Sequence, residues 1–190
     1  LYATLGRHDA LIKMFESEIA LTGDDEQKIY LLDKIAEIHE SHQDLAQAII
    51  TTRRVLEINP SQLSAVRNLG RLLHMAGRFS ELIELNESEA SLVNDQKLVV
   101  ALLHKNGELY EEKMNDRPNA VLAYRKVLAL APDYLPSLKA LGRIYLAEQR
   151  FDELVDMYRQ ELEATSIPEH AATLAYKIGE LKLQELRQRA

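Results

Sequence analysis

The 190-residue sequence is 46% apolar and 6% aromatic, lacks Cys and Trp, and carries a formal charge of −7. Without Cys there is no disulfide, thiolate metal site or catalytic thiol. The acidic balance argues against nucleic acid or an anionic membrane surface as the main partner, since phosphate recognition wants a basic face. No apolar run approaches the roughly 18 residues of a membrane span.

Leu and Ala dominate, and the few Gly and Pro punctuate helical stripes. The opening LYATLG reads as the last turns of a helix, and so as part of a longer chain. A helix over 8–21 follows, with Leu11, Ile12, Phe15 and Ile19 inward. Thr22-Gly23-Asp24 stops it, and Asp24 caps a helix over 26–42. A helix over 44–58 carries Ala48 and Val55, and Pro60 breaks it. Ser61 or Ser64 opens the next, through Leu69, Gly70 and Leu73 to Gly77. Residues 79–92 form another, and Asn94-Asp95 caps one that runs to about Met114.

Beyond the turn at 115–118, Ala120, Tyr124, Val127 and Leu128 lie on one helical stripe. Leu138, Leu141, Gly142 and Tyr145 form a second, and Phe151, Leu154, Val155 and Tyr158 a third. Small Ala120 and Gly142 mark close helix approaches. Tyr134, in the loop between Pro132 and Pro136, is expected to be exposed. Thr165 to Pro168 starts a last helix. No strand-like alternation of useful length occurs.

The chain repeats itself. Sliding residues 44–109 by 72 onto 116–181 aligns twenty identical pairs of sixty-six, including Leu69-Gly70-Arg71 with Leu141-Gly142-Arg143 and Gly107-Glu108-Leu109 with Gly179-Glu180-Leu181. The first forty residues align at a shift of 71, so one residue is missing near Gln43. The sequence therefore holds about two and a half copies of a 71–72 residue unit, near 6–76, 77–148 and 149–190. Each unit is two helical hairpins, and 1–190 is expected to form a single stack.

These hairpins resemble tetratricopeptide repeats. The resemblance rests on Leu69-Gly70 and Leu141-Gly142 with Tyr145, on Gly77, on Phe79/Phe151 and Leu82/Leu154, and on Pro60/Pro132. Ala36, Gly107 and Gly179 hold the small position in the more divergent hairpins. Gln149 departs from the pattern by replacing the turn glycine. The resemblance implies an all-α fold, an α-α superhelix built as a right-handed solenoid with a concave face.

It also implies that the residue after each small position points into that face: Glu37, Arg71, Glu108, Arg143 and Glu180, alternating in sign. Arg67, His74, Lys139 and Glu111 extend the row. Arg67, Arg71, His74, Glu108, Glu111, Lys139 and Arg143 are thus the candidate protein-binding residues. The same alternation also reads as a structural ladder of ion pairs between helices.

The implied function is a protein–protein interaction scaffold that binds a peptide or helix in a concave groove. The alternative is a regulatory or substrate-presenting arm of a larger multidomain enzyme. No phosphate loop, nucleophile elbow or zincin pattern is present, so neither catalytic residues nor a cofactor or metal is expected. The expected partner is another protein, with self-association through the solenoid ends, no nucleic acid and no membrane insertion. The expected compartment is the cytoplasm.

Overall fold

The computed structural model describes the backbone of residues 2–189 and the side chains of residues 7–183. Among the described residues it is all helix: α1 (Tyr2–Leu21), α2 (Asp25–Ser41), α3 (Leu45–Ile58), α4 (Leu63–Met75), α5 (Phe79–Leu92), α6 (Gln96–Glu108), α7 (Arg117–Leu130), α8 (Leu135–Ala147), α9 (Phe151–Ala164) and α10 (Pro168–Arg189), with a π-helical turn, Leu109–Lys113, between α6 and α7. Where the sequence suggests two helices before Leu21, α1 is one. A glycine such as Gly6 inside a helix costs only about 1 kcal/mol, too little to break it without turn chemistry.

Four hairpins turn through one residue in the left-handed region: Gln43 (φ 62°), Gly77 (69°), Asn115 (51°) and Gln149 (57°). Gly77 enters that region without penalty; the other three pay a steric cost there. Acidic caps follow two of these turns. The Asp44 carboxylate accepts from the Gln47 N–H at 3.1 Å, and Asp116 accepts from the Asn119 N–H at 3.2 Å. Asp24 and Asp95 cap α2 and α6 in the same way. Neither serine opens α4. Its cap is Gln62, which makes no side-chain capping bond. Instead the Asn59 side chain accepts from the Ser61 N–H at 3.1 Å, an Asx turn that carries the chain past Pro60.

The chain divides into two compact units, Leu1–Leu85 and Asn86–Ala190, with the boundary inside α5. In the first unit Leu32, Val55 and Ala65 form a buried cluster, covered by Ile19, Ile29, Leu56 and Ile58. In the second, Ala120, Tyr124, Leu138, Leu141, Ile144, Tyr145, Leu154 and Met157 form the core. The i, i+3, i+4, i+7 stripe of α8 lies entirely within it, as helical periodicity demands.

The small positions are not alike. A Cβ added at Gly70 or Gly142 would meet its nearest side chains at 3.6 and 3.8 Å, ordinary contact, so Gly142 is not the tight approach its sequence suggests. Gly107 is. Three atoms of the Tyr124 ring would lie inside contact distance of a Cβ there. At Gly179 such a Cβ would meet nothing within 4 Å.

Candidate partner-binding surface

The residues that follow the small positions all reach the surface: Glu37 and Arg71 in the first unit, Glu108, Arg143 and Glu180 in the second. Helical geometry requires this. A small residue packed against the next helix turns its successor about 100° away from the core.

In the first unit, Arg71 on α4 donates through both Nη atoms to Glu40 on α2, each at 2.6 Å, and through Nη2 to Asn68 at 2.6 Å. That pairing holds the Glu40 carboxyl below the usual carboxylate range and raises the Arg71 guanidinium. Glu37 is engaged elsewhere, by Lys34 on its own helix at 2.7 Å. His74 stands exposed with its ring edge-on to Phe79, centroids 5.7 Å apart. Arg67 is exposed and has no ion-pair partner among the described residues.

The second unit repeats the motif with more parts. Arg143 on α8 donates to Glu111 from Nε at 3.1 Å and from Nη2 at 2.9 Å to both carboxylate oxygens. The Tyr124 hydroxyl, from α7 behind, donates to the same carboxylate at 3.0 Å. Glu111 is thus clamped between an exposed cation and a buried phenol. Burial, and then the adjoining Glu111 carboxylate, pushes the Tyr124 phenol well above its ordinary range, so it stays a donor. Glu108 sits 3.5 Å from His104 Nε2. Lys139 is exposed and has no ion-pair partner among the described residues.

Glu111 lies in the π-helical turn, where the second copy carries one residue more than the first. Both copies end this helix alike, with a left-handed residue and then a capping aspartate: Gln43-Asp44 and Asn115-Asp116. Between His39 and Gln43 lie three residues; between the matching Tyr110 and Asn115 lie four. The extra residue is therefore not in the turn near the Gln43 equivalent, where the alignment suggests it. It is absorbed inside the helix, where Met114 N–H bonds back to the Leu109 carbonyl at 3.1 Å, five residues earlier.

Sequence reasoning missed His104 and Ser137. The Nδ1 of His104 lies 2.9 Å from the Ser137 hydroxyl. Its ring centroid is 5.3 Å from those of both Tyr124 and Tyr134. Tyr134 is consequently half-buried rather than exposed. Burial lowers the His104 pKa, against the pull of Glu108 and Glu111. The signal was present in the alignment, where Asp33, His104 and Tyr176 occupy one position in the three copies. Among the described residues no group of His, Asp and Glu side chains could hold a metal, and no helix is long and apolar enough to cross a membrane.

Residues 137–172 match the family model described as tetratricopeptide repeat. No curated protein matches the chain. Among solved structures, the crystal structure of MamA covers 85% of this chain and 91% of its own at 19% identity and a TM-score of 0.50. A second MamA structure covers 85% of each chain at 20% identity, with the same TM-score of 0.50. A thermophilic TPR protein of Thermus thermophilus covers 96% of this chain and 94% of its own at 18% identity, with a TM-score of 0.40. One tetratricopeptide repeat is thus matched at 137–172, and the all-α fold of the described residues is that of the tetratricopeptide helical solenoids.

Proposed function

We propose that this chain holds an extended segment or a helix of a partner protein against the exposed row borne by the first helices of its hairpins, with no catalysis of its own. In the second unit the row is Glu108, Glu111, Lys139 and Arg143; in the first it is Arg67, Arg71 and His74. The observation that carries this reading is the arrangement of the second unit's row. Arg143 is fixed in direction by Glu111 yet its side chain is 63% exposed. A preorganised cation costs little further entropy when it meets a ligand.

The row also has a selectivity. Arg71 and Arg143 are already neutralised by Glu40 and Glu111, so a strongly charged segment gains little. Lys139 and Arg67 remain to meet a carbonyl or a single carboxylate. The partner surface that fits is a segment of low net charge with an isolated acceptor.

A photo-crosslinking residue in place of Lys139 tests this, with the same residue in place of exposed Leu122 on α7 as its control. We expect an adduct with a specific protein from position 139 only, abolished when Arg143→Glu is added. An adduct from position 122 alone would place binding on the second helices of the hairpins and refute the assignment.

A further inference from the structure

The 72-residue repeat places two arginines alike, and they behave differently. Arg53 on α3 and Arg125 on α7 occupy one position in the two copies, as do Glu81 on α5 and Glu153 on α9. Arg53 crosses to Glu81 and pairs with it. Arg125 makes no ion pair among the described residues. Its Nε donates to the Tyr145 hydroxyl at 3.0 Å, and neither Nη atom has a partner among them.

One residue of the first helix accounts for the difference. Tyr145 on α8 is fully buried, and Leu73 takes its place in the first copy. A leucine offers no polar atom, so Arg53 runs on to the carboxylate, whereas the phenol stops Arg125 short. Glu81 is therefore paired with Arg53 and Arg78, but Glu153 only with Arg150, the counterpart of Arg78. The Arg150 bonds, at 2.9 and 2.7 Å, hold the Glu153 carboxyl below the usual range, and the nearby charge of Arg125 adds to this. Arg150 also lies over the Tyr145 ring, 4.6 Å from its centroid, so the phenol that restrains Arg125 is itself fixed.

The space that Arg125 does not cross is a groove of about 520 Å³ between α7 and α9. Small-molecule sites run from about 300 to 1,000 Å³. Leu128, Pro132, Leu141 and Met157 give the groove its apolar lining. Along α9 it runs from Glu153 to Gln160, a helical length of about 10 Å. The acids of the lining are matched locally, Glu153 by Arg150 and Asp156 by Arg159 at 3.0 Å. The unmatched charge is that of Arg125, so the groove suits an anion.

We propose that this groove binds a small monocarboxylate with an apolar tail. The carboxylate sits on the two Nη atoms of Arg125, and a tail of about 10 Å lies over Leu128, Leu141 and Met157 toward Gln160. The Tyr145 bond already fixes the guanidinium, so little further order is lost on binding. The site lies beside second helices and uses no residue of the row proposed above for a protein partner.

The test is a titration of the 15N-labelled chain with octanoate, followed by amide chemical shifts, with acetate and octylammonium as controls. Octanoate should give saturable shifts centred on Arg125, Leu128, Met157 and Gln160, and neither control should saturate. Arg125→Gln, at an exposed site, should weaken octanoate about tenfold, the usual effect of losing a charge-assisted bond. Tyr145→Phe keeps the ring but frees Arg125 to reach Glu153, as Arg53 reaches Glu81, and should weaken octanoate as well.

Four results would overturn the proposal. Absence of saturable shifts means that the groove takes no carboxylate. Undiminished affinity in Arg125→Gln or Tyr145→Phe means that the anchored cation does not hold it. Acetate binding as tightly as octanoate means that no tail is read. A short peptide with a free C-terminal leucine that binds the same residues more tightly than octanoate makes a protein chain end the ligand.

Discussion

Replacing Gly107 by Ala should destabilise the second unit, although the same change in an open helix stabilises it. Helix propensity alone favours Ala over Gly by about 1 kcal/mol. Against that gain stands Tyr124, whose fully buried ring occupies the space a Cβ needs. Three ring atoms would be overlapped, and the overlap is with the body of the ring, not with a flexible tip. The ring must leave its slot, at an overpacking cost of about 3 kcal/mol. It also loses its 3.0 Å bond to Glu111, a charge-assisted bond worth about 1.5–3 kcal/mol. Partial relaxation and the propensity gain leave a net loss of about 2–4 kcal/mol. The control is Gly179→Ala, where nothing lies within 4 Å and the full gain of about 1 kcal/mol should appear. Gly142→Ala, with its nearest side chains at 3.8 Å, should be close to neutral or mildly stabilising. Urea unfolding of the three variants should rank them Gly179→Ala, Gly142→Ala, Gly107→Ala from most to least stable. A Gly107→Ala variant as stable as Gly179→Ala would refute the wedge between α6 and α7.

Gln149→Gly should raise the urea midpoint by an amount equivalent to about 1 kcal/mol, because Gln149 sits at φ 57° where Gly77 serves the matching turn; a lowered midpoint would show that its side chain matters more than its backbone. Arg71→Ala and Arg143→Ala should each cost no more than about 1 kcal/mol, since both cations are largely exposed and their pairs are screened. A loss of several kcal/mol in thermal unfolding would make the ion pairs a principal source of stability and not a means of fixing register. Stability should also fall as pH drops from 7 toward 5. Burial lowers the folded pKa of His104 below its unfolded value, so the unfolded chain takes up the proton first. This contribution is complete above the unfolded pKa and is lost as pH falls to the folded one; His104→Gln should flatten the profile in that window. The pair-lowered carboxyls Glu16, Glu40, Glu81 and Glu153 add a separate loss at more acidic pH, below the ordinary glutamate range.

Helices were legible because their causes are local. Apolar spacing, an aspartate cap and a breaking proline act within a few residues, so α3 and α7 fall where the sequence indicates. The expected break at Gly6 failed because a glycine ends a helix only when turn and cap residues support it. Ranking the close approaches was not legible either. Gly70, Gly107, Gly142 and Gly179 look equivalent in the alignment, but what faces each is decided by a helix elsewhere in the chain.

The surface row shows the same divide. Exposure of Arg71 and Arg143 follows from their place after a small residue, which sequence supplies. Their partners do not follow, because Glu40 and Glu111 were chosen over the nearer-looking Glu37 and Glu108 by the geometry of neighbouring helices. The one-residue difference between copies was visible as a change of shift from 71 to 72. Its consequence depends on where the extra residue is cheapest. The turn is constrained by a left-handed residue and a capping aspartate, whereas a helix end can widen by one residue while keeping its backbone bonded. The insertion therefore went into the helix, and the arginine–glutamate pair is kept in both copies: Arg71 with Glu40, Arg143 with Glu111. The first copy, three residues long in the same interval, pairs Arg71 with Glu40 but brings no phenol to that carboxylate. The two candidate surfaces thus differ behind the carboxylate, where Thr52 of the first copy aligns with Tyr124 of the second: one cation is held by a carboxylate alone, the other by a carboxylate anchored in turn to the core.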